Sequence, residues 1–224
     1  TTRVLGAASI SDLRNYSGST TIDGNATVGT VRTYGGTTSI GGNLINCNYL
    51  ENNANTLVSG NAAITSLVNY SGSTTISGTL NAIYVMNSGG QLINVTGDAT
   101  ITNYIENHGT ANFGSTSTIA SLFGSGTANF TGASQIANRS GNGTANFAED
   151  SSISTISGAG SLTIASGKTL TISNGSFSGS VSGQGALTKT SGSTLTLIGS
   201  NVDGYLGSTT VNAGTLVFDT DVTL

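Results

Sequence analysis

A chain of 224 residues with 33 Gly, no Pro, no Trp and 7% charged side chains lacks the surface of an ordinary soluble enzyme, where roughly 25% is usual. Six basic residues against ten acidic ones leave a net charge of −4, which excludes the basic footprint of a nucleic-acid or anionic-membrane binder. One cysteine excludes an internal disulfide, and no run approaches the roughly 18 apolar residues of a membrane-spanning helix.

Hydrophobic residues nevertheless make up 36% of the chain, and they recur in register, which separates this composition from a disordered one. Successive coils run Thr1–Gly18, Ser19–Gly36, Thr37–Ala54, Asn55–Gly72, Ser73–Gly90, Gln91–Gly109, Thr110–Gly126, Thr127–Gly143 and Thr144–Gly160. The clearest pair is Asn55–Gly72 over Ser73–Gly90, which sets Val58 on Ile76, Gly60 on Gly78 and Leu67 on Val85. Self-similarity at such a period signals a solenoid, whose units bury their apolar faces only against neighbours.

One column of large apolar residues passes through every coil: Val4, Ile22, Ile40, Val58, Ile76, Val95, Phe113, Phe130 and Phe147. Two positions earlier stand Thr2, Thr20, Thr38, Thr56 and Thr74, then Ile93, Ala111, Ala128 and Ala145, which a period of two puts on the same inward face. Six residues after the main column come Ile10, Val28, Ile64, Ala82, Ile101, Ile119, Ile136 and Ile153. Nine after it come Leu13, Val31, Tyr49, Leu67, Val85, Tyr104, Leu122 and Ile156. These predict second and third inward faces, so each coil is expected to hold up to three short strands. The fold expected is all-β, a parallel β-helix with 17 to 19 residues per coil.

Gly6, Gly24, Gly42, Gly60, Gly78, Gly97 and Gly132 share one position, and Asn25, Asn43 and Asn61 follow three of them. A corner with positive φ is expected there. The absence of Pro agrees with strands that all donate to neighbouring coils. A left-handed helix of three six-residue sides would need an aliphatic third column. The residues in that place are Tyr16, Tyr34, Asn52, Tyr70, Ser88, Asn107 and Ser125, too polar to close such a triangle, and the drift in period also favours a right-handed coil.

From Ser161 the register lapses, which divides the chain into regular coils 1–160 and irregular coils 161–224 of one continuous solenoid. Candidate strands are SLTIA, KTLTI, ALTKT, TLTLI, TTVNA and TLVFD. The stretch from Gly185 holds Leu187, Thr188, Lys189, Leu195, Leu197, Gly199, Asn201, Tyr205, Gly207, Thr209, Thr210, Val211, Asn212, Gly214, Thr215 and Leu216 in a definite order. It resembles the autotransporter-associated β-strand repeat of bacterial autotransporter passengers, with two extra residues around Val202 to Gly204. The GTANF phrases are similar to those of the large rickettsial surface antigens. The resemblance implies a right-handed parallel β-helix exported to the bacterial surface through a C-terminal translocator barrel in the outer membrane. No barrel sequence is present and Thr1 carries no signal peptide, so the chain is expected to be part of a passenger, with end-to-end self-association at its open β edges.

Residues with chemistry to offer are few. His108, the single histidine, lies in the turn ENHG beside Glu106 and is expected to be a plain turn residue. The carboxylates Asp12, Asp23, Glu51, Asp98, Glu106, Glu149, Asp150, Asp203, Asp219 and Asp221 are scattered, whereas glycoside hydrolysis needs two across a cleft. Adjacent Glu149 and Asp150 would point to opposite faces on a strand and would be solvated at a turn. No calcium-binding nonapeptide is present, and no catalytic, cofactor or metal residue is expected. Cys47 in LINCNYL is expected to be a small buried hydrophobe without the basic neighbour of a reactive thiol.

Arg14 and Arg32 occupy equivalent positions of successive coils and are expected to be two solvated arginines one strand spacing apart, the alternative being a small basic patch that contacts an acidic host or matrix surface. The first strand of each coil offers outward rows that include Thr110, Thr127 and Thr144 on one side and Asn112, Asn129 and Asn146 on the other. Such hydroxyl and amide ladders stack well for structural reasons alone, and they also present a ligand surface. The function expected is that of a non-catalytic adhesin or cell-contact rod at the bacterial surface, a virulence-type role with a host-cell or neighbouring bacterial protein or glycan as partner. The alternatives are a stalk displaying a functional region elsewhere and a polysaccharide-degrading β-helix.

Overall fold

The computed structural model describes residues 1–198 and 204–219, and among these it contains strands and turns but no helix. Short strands, from Thr2–Val4, Ser19–Ile22 and Thr37–Ile40 to Ser161–Ile164 and Ser180–Gly183, build one eleven-stranded sheet. Long strands alternate with them along the chain, from Ala8–Asn15 and Ala26–Thr33 to Ser151–Gly158 and Thr169–Phe177, and build the second sheet. Pairing is parallel throughout and joins equivalent residues of neighbouring coils, as in Val58↔Ile76 and Ile76↔Val95. The chain is therefore a parallel β-solenoid.

The expected columns form its core. From Ile22 to Phe147 every member of the main column is buried, and Thr20 to Ala145 are buried beside them. Where the column changes to phenylalanine the rings stack in parallel, Phe113 on Phe130 at 5.2 Å and Phe130 on Phe147 at 5.3 Å. Three larger side chains are accommodated because Thr gives way to Ala two positions earlier, which keeps local volume near constant.

The expectation of three strands per coil changes in detail. Leu80–Asn87 turns Leu80 and Ala82 inward, then Ile83 and Tyr84 outward in succession, then Val85 and Asn87 inward. Two adjacent outward residues bend the strand without ending its pairing. The second and third inward faces are the two halves of one bent strand.

Inserted residues shift the third column in two coils. In Leu44–Asn52 a bulge carries Asn46 at φ 53°, and the register slips between Leu44 and Cys47. Leu50 then takes the inward place expected for Tyr49. In Ala99–Asn107 the slip between Ala82 and Tyr84 of the preceding coil has the same result, with Ile105 inward and Tyr104 half-exposed. Because side chains alternate, one extra residue exchanges the faces of all that follow.

The corner assumed too polar to close is closed by amides, two of them (Asn52 and Asn107) in the expected column itself and two (Asn69 and Asn87) one residue before it. Asn52, Asn69, Asn87 and Asn107 are buried and point inward. Each Nδ2 donates to the next Oδ1, at 2.8, 3.0 and 2.9 Å. The same amides reach backbone carbonyls, as Asn87 Nδ2 to Thr110 O at 2.9 Å. Buried amides are tolerable only when so satisfied, and among the described residues no buried side-chain nitrogen or oxygen lacks a partner.

Glycine roles also differ from expectation. In the column expected to have positive φ only Gly6 does, at 89°. Its later members are needed for close approach: a Cβ on Gly60 would lie 2.8 Å from the Gly42 carbonyl carbon and 2.4 Å from Asn43 Oδ1. Asn25, Asn43 and Asn61 instead accept, through Oδ1, the N–H groups of Asn43, Asn61 and Thr79 in the next coil at 2.8 to 2.9 Å. Positive φ belongs to the coil-closing corner, as at Gly36 with φ 72°.

The stacking continues through Ser161 without a break, Thr144↔Ser161 and Phe147↔Ile164 keeping register. All six candidate strands of the C-terminal part are strands. The irregularity begins later. Ala186–Lys189 pairs with the first half of Thr169–Phe177, and Thr194–Ile198 pairs with its second half, so the bent strand is divided by a loop. Of the residues carrying the repeat resemblance, Gly199 and Asn201 lie outside the described residues, as do Val202 and Asp203.

Candidate contact surfaces

On the short-strand sheet the outward rows form in the expected register: Thr110↔Thr127↔Thr144 and Asn112↔Asn129↔Asn146. The asparagines make a second, outer amide ladder. Asn112 Nδ2 donates to Asn94 Oδ1 at 2.6 Å, and Asn129 and Asn146 each donate to the preceding amide at 2.7 Å. Beside this ladder a shallow trough of about 480 Å³ runs between Asn112, Asn129, Asn146 and Thr163 on one side and Thr131, Ala148 and Ala165 on the other.

Arg14 and Arg32 do stack in register, but they do not leave a basic patch. Asp12 Oδ2 lies 2.6 Å from Arg14 Nη2, and Asp12 Oδ1 lies 3.2 Å from Arg32 Nη1. Arg32 also approaches Glu51 at 3.5 Å and lies over the Tyr49 ring at 5.9 Å. Hydrogen bonding from Arg14 holds the Asp12 carboxyl below its ordinary range. The pair is a neutralised cluster on an open surface, where ion pairs contribute little stability.

His108 sits on the exposed closing corner between two partners. Its Nδ1 is 2.9 Å from Ser125 Oγ in the next coil, and its Nε2 is 3.1 Å from Glu106 Oε1. The order Ser, His, Glu is that of a proton relay, yet neighbouring backbone donors are committed, Gly126 N to Asn107 O at 2.9 Å and Thr127 N to Gly109 O at 2.8 Å. A developing oxyanion would find little preorganised stabilisation there.

The adjacent carboxylates are separately engaged: Glu149 pairs with Lys168, and Asp150 Oδ1 accepts Thr169 N at 2.7 Å. Asp98 similarly accepts Thr116 N at 3.1 Å and Ser115 Oγ at 2.6 Å. Asp23 is 3.0 Å from Arg3. Among the described residues no group of three or more His, Cys, Asp or Glu converges as a metal site would. Asp203 and Asp221 lie outside the described residues.

Cys47 is 1% exposed and its thiol reaches Tyr49 O at 3.4 Å. Burial pushes its pKa up to about 11. The folded protein is therefore expected to resist iodoacetamide at about pH 8 and to be alkylated rapidly once unfolded. Rapid labelling of the folded chain would place Cys47 at the surface instead.

Two buried cations were not legible in the columns. Arg139 occupies the inward column between Leu122 and Ile156, and its guanidinium donates to the carbonyls of Ser140, Gly141 and Gly143. Lys189, within the stretch resembling the autotransporter repeat, is fully buried and donates to the carbonyls of Ser191 and Ala213. The available signal was the basic residue itself at an inward position, Arg139 nine residues after Phe130. Compared with protein-family models, with curated proteins and with solved structures, the chain matches none.

Proposed function

We propose that this chain is a segment of an exported bacterial passenger and works as a non-catalytic contact rod at the cell surface. The observation that carries the reading is the unbroken register of the coils. Eleven short strands in one stack, about 4.8 Å apart, make a stiff body roughly 50 Å long. Over some coils its walls repeat like side chains, as Thr110, Thr127 and Thr144 do, a design that gains strength from many weak contacts. The resemblance of Gly185 to Leu216 to the autotransporter repeat supports export as the route to the surface.

Beads coated with the chain are expected to adhere to cultured epithelial cells or to bacterial cells. Raising the salt to about 0.5 M should reduce adhesion only slightly, because few charges are free to be screened. His108→Ala should leave adhesion unchanged. Turnover of a glycoside, ester or peptide that disappears in Glu149→Gln or Asp150→Asn would overturn the non-catalytic reading. Adhesion by a longer protein containing this chain, with none by these beads, would make the chain a stalk.

A further inference from the structure

The eleven-stranded sheet is the wall of the rod whose register never slips. Its strands pair residue for residue from Thr2↔Thr20 to Ser161↔Ser180, whereas the long-strand sheet shifts register in several of its pairings. From Ser19 to Ser182 the outward side chains of these strands are Ser, Thr and Asn with two leucines, Leu57 and Leu92, and none carries a charge or an aromatic ring. All but Asn55 are half-buried, shielded by their equivalents in the coils above and below. The result is a smooth face from which nothing projects.

Its polar groups are spent largely on one another. Besides the amide ladder from Asn94 to Asn146, Ser73 Oγ donates to Asn55 Oδ1 at 2.9 Å and Ser180 Oγ to Ser161 Oγ at 2.8 Å. A polar face already hydrogen-bonded within itself loses less on leaving water than one whose donors and acceptors are free.

We propose that this face is where two copies of the chain lie side by side, wall against wall, in a twofold contact. The proposal goes beyond the contact-rod reading and does not depend on it, because the pairing takes place between isolated molecules in solution. Spacing selects the partner. Each row of side chains repeats about every 4.8 Å along the rod, whereas an extended polypeptide laid along it repeats a face about every 6.6 Å and a helix every 5.4 Å or so. Either falls out of step within a few coils. A second rod carries the same 4.8 Å repeat over its whole length, and sheets of like repeat interdigitate small side chains in dry contact. The trough of about 480 Å³ beside the asparagine row gives a partner's ridge a groove to enter.

Hydrogen bonding argues against a glycan, which needs free donors and acceptors at each sugar and gains from aromatic rings. Here the ladder uses the first and the face lacks the second. Charge agrees with self-pairing, since a face that meets its own copy cannot carry a row of one sign, and Arg3, the charged residue on the first strand, is neutralised by Asp23. Area sets the strength. Ten strand spacings of about 4.8 Å by four residues of about 3.3 Å make a face of roughly 620 Å², close to the roughly 600 Å² that each partner buries in the smallest specific complexes. The pair is therefore weak and reversible, and gains strength where many rods are crowded on a surface.

The test is the oligomeric state of the full chain. Sedimentation equilibrium from about 1 to about 200 µM should show a monomer–dimer equilibrium that stops at two copies. One variant carries Ser73→Lys, Thr110→Lys and Thr144→Lys on the proposed face. The comparison variant carries Thr118→Lys, Gln135→Lys and Ser154→Lys, exposed positions on the long strands, and so has the same net charge. With melting curves of both close to that of the unaltered chain, the first should raise the dissociation constant at least about tenfold and the second less than about twofold. Should the first variant fold poorly, Thr110→Lys alone should still raise it at least about threefold. A chain that stays monomeric throughout, equal weakening by both variants, or growth beyond two copies that the first variant retains would each overturn the proposal, the last by moving association to the open strand edges. Retention of a monomeric chain on an immobilised neutral polysaccharide, lost in the first variant, would overturn it in favour of a sugar.

Discussion

Ile76→Asp, and equally Val58→Asp, is expected to cost more than about 4 kcal/mol and to unfold the central coils at ordinary temperature. Both residues are wholly buried, they pair with each other, and Ile76 also pairs with Val95. A carboxylate there has apolar neighbours above and below. It must stay buried without a partner or take up a proton, and either course is unfavourable. Asn112→Asp on the outward face is expected to lose about 1 kcal/mol, chiefly the donation to Asn94 across the outer ladder. Circular-dichroism melting of the three variants checks the contrast. Similar losses at Ile76 and Asn112 would mean that the columns have been assigned to the wrong faces.

Arg139→Ala is expected to destabilise by about 3 kcal/mol or more, a large effect for the loss of a basic residue. The inner amide ladder stops after Asn107. At the equivalent place in the next coils stand Gly124, Gly141 and Gly158, each of whose Cβ positions would collide with the preceding coil's backbone. At this corner the guanidinium of Arg139 takes over as the buried donor and donates to three carbonyls. Removing it leaves a cavity and unsatisfied acceptors at once. Desolvation lowers its pKa from the ordinary arginine value, but an arginine remains charged at neutral pH, so the loss should not depend on pH between about 5 and 9. Arg139→Met should recover part of the loss by filling volume without restoring the hydrogen bonds. Equal melting temperatures for Arg139→Ala and the unaltered chain would show that the carbonyls are satisfied without it.

The same cation illustrates why charge was misread in the sequence. Arg14 and Arg32, equivalent by coil position, suggested a basic patch, whereas Asp12 lies two residues from one of them in the chain and Glu51 one coil from the other. Arg139, which fell in an inward column, was passed over because its hydrogen-bond acceptors are backbone atoms with no identity in a sequence.

Repetition at 17 to 19 residues was enough to determine the solenoid, the buried column from Ile22 to Phe147 and the outward rows at Thr110 and Asn112, and alternation within short segments was enough for the candidate strands beyond Ser161. These depend on local alternation and on stacking of like on like, both written in residue order. Tertiary structure decided what fixed spacing cannot carry. Bulges at Asn46 and before Tyr104 exchange inside for outside, so Leu50 and Ile105 enter the core and the tyrosines leave it. The bend that joins two expected strands depends on two successive outward residues, which a period of two does not foresee. The amide corner of Asn52 to Asn107 looked too polar to be interior because its partners are other amides and carbonyls 17 to 23 residues away. Only their convergence in space removes the cost of burying them.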